Sequence, residues 1–187
     1  MLRNTPTGPG RAKALPLVGV LNAGSSSLKF ALFEGEARRF SGVIDGIGGD
    51  KLRAVAVDAS GTPIGAPKAD PAMLRSVADA VHVVLPWFSE HRGGRRLDGV
   101  GHRLVHGGVA HERPALVTPA LLDDLERLVP LAPLHEPAGI AAIRAVAAED
   151  GHRASRVSRH RVSSQESGRR ASLRDHQTLL QGRRSEL

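Results

Sequence analysis

The sequence predicts an α/β domain, and three observations carry the prediction. Segments of strand length come first: the apolar runs Leu17 to Leu21 and Leu28 to Phe33, then the short strands Arg38 to Ile44 and Leu52 to Val57. After about residue 70 the pattern changes to helices alternating with a strand. Glycine, serine and proline gather between these runs, which is the composition of turns.

Taken in order, Leu17 to Leu21 and Leu28 to Phe33 flank Asn22-Ala23-Gly24-Ser25-Ser26-Ser27. That arrangement reads as a strand–turn–strand hairpin. The glycine-rich Gly46-Ile47-Gly48-Gly49 joins the next two strands, and Asp58 to Pro63 is a further turn. Pro71 to His91 reads as a helix, because Met73, Val77, Ala80, Val81, Val84 and Phe88 recur at helical spacing. Pro86 is expected to bend or end it, and Trp87 reads as a packing residue. Leu97 to Val105 is again a strand. Thr118 followed by Pro119 marks an N-cap and a first-turn proline for a helix through Leu128. Gly139 to Ala148 begins another amphipathic helix.

Composition narrows the function classes. The 187 residues hold no cysteine, which excludes disulfides, thiolate metal sites and a cysteine nucleophile. Aromatics are scarce at 3%, so the core must be mostly aliphatic. No apolar run reaches the ~18 residues of a membrane helix. The net charge of +7 raises the question of nucleic acid, but its location answers against it. Residues 151–187 carry nine arginines against Glu166, Asp175 and Glu186; the other 150 residues carry 17 basic and 16 acidic side chains. The basic signal belongs to the tail, which has no aromatic for base stacking.

The chemistry concentrates in the hairpin turn. Hydroxyls, backbone N–H groups and Lys29 together suit phosphoryl oxygens. The amide oxygen of Asn22 could face a hard cation such as Mg²⁺, directly or through water. An ordinary serine-rich β-turn has the same composition. It is not a Walker A loop, since the serines lead into a strand rather than a helix.

Two further stretches decide between these readings: Gly101-His102-Arg103-Leu104-Val105-His106-Gly107-Gly108 and Leu131-Ala132-Pro133-Leu134-His135-Glu136-Pro137. With Asn22 to Lys29 they resemble, in order, the acetate kinase motifs N-A-G-S-S-S-L-K, G-H-R-x-V-H-G-G and L-A-P-L-H-N-P. The third departs at Glu136, where that family usually has Asn. The resemblance runs over about Leu17 to Ala148.

The resemblance implies the N-terminal domain of the actin/sugar-kinase/Hsp70-type nucleotide-binding fold, a mixed sheet with flanking helices, here incomplete. It implies transfer of the γ-phosphoryl of ATP to acetate, giving acetyl phosphate and ADP, with Mg²⁺, in a cytoplasmic homodimer. By position, Asn22 matches the Mg²⁺-associated residue, and Ser25, Ser27 and Lys29 match the ATP-phosphate turn. Arg103 matches the arginine that binds the substrate carboxylate, for which a planar, permanently charged fork is well suited. His135 matches a catalytic histidine near the transferring phosphoryl group. His102 and His106 read as structural. A propionate or butyrate kinase relative and a non-catalytic interaction module are the alternatives.

Three segments are expected: a disordered leader over residues 1–16, the partial domain over 17–150, and a basic disordered tail over 151–187. The family has a later motif, Asp-Thr-Ala-Phe-His, whose Asp is catalytic. Permitted codons for Arg159 to Ser167, shifted by one base, read Asp-Thr-Ala-Phe-His-Arg-Lys-Asn. A frameshift near Glu149 to Gly151 is therefore expected, with the tail out of frame and the fragment inactive.

Overall fold

The computed structural model describes residues 14–104, 114–131, 133, 136–150 and 155–159. Of the leader, only residues 14–16 fall within these; His106, His135 and residues 160–187 lie outside them.

The predicted hairpin forms β1 (Leu17–Ala23) and β2 (Ser27–Glu34), paired antiparallel. The meander continues through β3 (Ala37–Asp45), β4 (Arg53–Asp58) and the two-residue β5 (Pro63–Ile64). Asp58 makes the turn before β5, its Oδ1 accepting from Ser60 N at 2.8 Å and Thr62 N at 2.9 Å. The chain then crosses through α1 (Val77–His91) to β6 (Gly99–Leu104), which lies parallel to β1. β7 (Ala115–Leu116), α2 (Pro119–Leu128), a 3₁₀ turn at Val129–Leu131, α3 (Glu136–Asp150) and β8 (Ser155–Arg159) complete the described chain. The sheet order is β5-β4-β3-β2-β1-β6-β8-β7, with β8 parallel to β6 and antiparallel to β7. It is the mixed α/β sheet with helices that the resemblance implies.

α1 starts later than its apolar spacing indicates. Ser76 is the N-cap: its Oγ accepts from Asp79 N at 3.2 Å, and Asp79 Oδ2 accepts from Ser76 N at 2.8 Å. This reciprocal box satisfies the free N–H groups of Ser76 and Asp79 and so starts the helix at Val77, not at Pro71. Residues 71–73 form a separate turn on Asp70, whose Oδ1 accepts from Ala72 N, and Met73 is left 72% exposed. Pro86 does not end the helix. It removes one ladder donor, but Leu85, Trp87 and Phe88 are buried beside it and hold the helix through to His91. Trp87 is the packing residue expected, with Nε1 donating to Gly65 O at 2.8 Å. Thr118 caps α2 as read, its Oγ1 accepting from Leu121 N at 3.1 Å.

β8 falls in the segment read as having no strand period. Ser-Arg-Val-Ser-Arg has no apolar alternation; what makes it a strand is the slot between β6 and β7, whose backbone donors and acceptors it fills.

One face of the sheet carries the core. Leu17, Leu21, Leu28, Phe30, Leu32, Phe40 and Ile44 pack beneath α1, around an edge-to-face cluster of Phe30, Phe40, Trp87 and Phe88. α3 covers β6 at close range, since a Cβ on Gly139 would lie 2.6 Å from Leu104 Cδ2. A second cluster of Leu104, Leu121, Leu125, Ile140 and Ile143 binds α2 to α3.

Candidate phosphate and carboxylate site

The candidate site lies on the opposite face, at the loop end of the hairpin. Alternation along β2 sends Leu28 and Phe30 into the core and turns Ser27 and Lys29 the other way. In register Lys29 pairs with Asn22, and Asn22 pairs with Arg103 of β6. Directly paired residues share a face, with Cβ atoms about 5 Å apart. Three sequence-predicted residues from three strands thus form a single row. Arg103 Nη1 donates to Asn22 Oδ1 at 3.3 Å.

The turn closing this row is tight. Gly24 N donates to Ser27 O at 2.8 Å, and Ser26 O accepts from Ile47 N at 2.9 Å, tying the turn to the next loop. Ser25 and Lys29 are exposed, whereas Ser27, Asn22 and Arg103 are half-buried. β1 and β6 are parallel, so both carboxyl ends point toward this turn. Open α/β sheets bind ligands at that edge.

The residue beside Arg103 goes the other way. His102 is 3% exposed, and neither ring nitrogen has a hydrogen-bond partner. Desolvation alone pushes its pKa down to about 3, so the ring is neutral. It is a core histidine, as the sequence reading has it. Glu136, the departure from the family motif, is fully buried as the first residue of α3. A carboxylate there is favoured by the positive end of the helix dipole, and it faces the interior rather than solvent.

Within the row itself a divalent cation would find one oxygen, the neutral amide oxygen of Asn22, with one lone pair engaged by Arg103. Among the described residues no group of three or more His, Cys, Asp or Glu could hold a metal ion. The donors fit an ion that arrives with its waters on a phosphate rather than a resident one. Sequence reasoning missed Asp45, which stands opposite Ser27 on the same face; the signal was strand alternation from Ile44.

The model of the acetokinase family matches residues 17–157. The chain belongs to that family. An acetate kinase of Methylocella silvestris is 38% identical over 133 residues, covering 66% of this chain and 33% of the relative. A propionate kinase structure from Francisella tularensis superposes with a TM-score of 0.66 at 25% identity, covering 78% of this chain and 37% of the other. The acetate kinase of Porphyromonas gingivalis gives the same TM-score at 28% identity, covering 77% and 37%. The chain therefore spans about a third of the length of the curated relatives it matches. The acetokinase match extends past residue 150 into β8. Among the described residues no helix is long and apolar enough to cross a membrane.

Proposed function

We propose that this chain is the N-terminal part of an acetate kinase, an enzyme moving the γ-phosphoryl of ATP to acetate. The observation that carries the reading is the row Lys29–Asn22–Arg103 beside the serine turn. Phosphoryl transfer is mostly positioning and charge neutralisation, and this row offers both. Arg103 takes the acceptor carboxylate as a bidentate fork. Lys29, with the Ser25 and Ser27 hydroxyls, takes the nucleotide phosphates. Asn22 offers an oxygen to the Mg²⁺ carried on those phosphates, where the ion supplies charge neutralisation. His135, outside the described residues, is the proposed donor to the transferring group. A cytoplasmic homodimer belongs to the same reading.

The chain alone is proposed to be inactive. The family's Asp-Thr-Ala-Phe-His motif is not present in frame. The out-of-frame origin of the tail is part of this proposal. The Francisella propionate kinase favours one second reading, a longer short-chain acid as acceptor. Pockets separate such acids by only ~1–3 kcal/mol per methylene.

Resequencing the gene across the codons for Ala145 to Ser167 is the first test. A one-base shift restoring Asp-Thr-Ala-Phe-His is expected, and its absence would refute the out-of-frame origin. In a coupled assay with ATP, acetate and Mg²⁺, this chain should stay at the blank. The frame-restored enzyme should turn over, and its Arg103→Ala variant should show a raised KM for acetate. An unchanged KM would remove Arg103 from the carboxylate role.

A further inference from the structure

The serine turn carries a carboxylate that its motif does not use. Asp45 ends β3 opposite Ser27, and on its other side it pairs in register with Arg53 of β4. Its neighbours fix its face: Ile44 and its partner Leu28 are wholly buried, so Asp45 and Ser27 lie on the face of Lys29, Asn22 and Arg103. Asp45 is exposed, and it forms no ion pair with Lys29 or Arg53.

The backbone behind it is held in place. Gly46 has φ 77°, a region side chains rarely adopt, and a Cβ there would lie 2.3 Å from Lys51 O. Ile47 is buried, and its N–H donates to Ser26 O at 2.9 Å. Strand register and this hydrogen bond therefore seat Asp45 beside the turn.

A carboxylate beside a phosphate site has an effect of definite sign. It repels free phosphate, and it attracts phosphate whose charge is covered by a divalent cation. We infer that Asp45 is a specificity residue, making the serine turn accept cation-complexed phosphate and discriminate against free phosphate. The inference rests on the phosphate reading of the turn given above. Asn22 supplies a neutral oxygen in the adjoining row, and Asp45 supplies the charge.

The test is calorimetric titration of the full chain with inorganic pyrophosphate, in Mg²⁺ and in EDTA. Wild type should favour the Mg²⁺ complex. Asp45→Asn should shrink that preference by roughly threefold or more, mainly by tightening the metal-free Kd. Asp45→Glu should keep it, and Lys29→Ala should weaken binding in both conditions. Equal preferences in wild type and Asp45→Asn overturn the inference while leaving the turn as a phosphate site. No binding by wild type in either condition, or binding indifferent to Lys29→Ala, overturns the phosphate reading and the inference with it.

Discussion

The two faces of the sheet are built from the same strands and obey different rules. Beneath α1 and α3 the side chains are aliphatic or aromatic, and position is dictated by packing. On the opposite face the row Lys29–Asn22–Arg103 is polar and partly solvated, and position is dictated by register. His102 and Arg103 show the divide most sharply. They are consecutive, yet one is a bare neutral ring in the core and the other reaches Asn22 on the far side. A one-residue slip of β6 would exchange them, placing a guanidinium in the core. Adjacent residues of one motif can therefore have unrelated physical reasons for being there.

The largest effect should come from the packed face. Phe88 is fully buried against Phe30 and Phe40, with ring centroids 5.9 and 5.4 Å away. Phe88→Ala should cost about 3–5 kcal/mol in urea unfolding. A loss under about 1 kcal/mol would mean that this cluster does not hold the face together.

A smaller and pH-dependent effect should come from His102. Its pKa is lowered from 6.5 to about 3 in the fold, so between those values the unfolded chain binds a proton that the folded chain refuses. Its contribution is complete above pH 6.5 and is lost progressively on acidification, with roughly 2 kcal/mol gone by pH 5. His102→Leu should flatten that part of the stability profile. Unfolding midpoints at pH 7 and pH 5 with the same pH slope in both proteins would contradict the burial argument.

The smallest effect should come from the polar face. Arg103→Lys removes the fork but leaves the charge, and stability should change by no more than about 0.5 kcal/mol. A loss comparable to that of Phe88→Ala would show that the row is structural as well, and would blur the contrast between the faces.

Local signals were legible wherever the chain satisfies itself locally. The β1–β2 hairpin, the Thr118–Pro119 helix start and the burial of Trp87 follow from spacing and capping chemistry. The start of α1 was also present, as Ser76 followed three residues on by Asp79, but the apolar spacing from Met73 and the helix-compatible Pro71 masked it. β8 was not legible, because a strand inserted between two others is stabilised by their backbones and needs no side-chain pattern of its own.

By itself, then, the sequence determined the α/β class, the serine turn and the three motifs that mark the acetokinase family. Those are matters of composition and short spacing, which every chain carries before it folds. Tertiary structure decided that Lys29, Asn22 and Arg103 share one row, that Asp45 stands beside Ser27, and that Glu136 turns inward. Arg103 is 81 residues from Asn22, and only the α1 crossover, by laying β6 parallel to β1, brings them into register. Alternation is local, but which strands alternate side by side is a long-range choice made by the core.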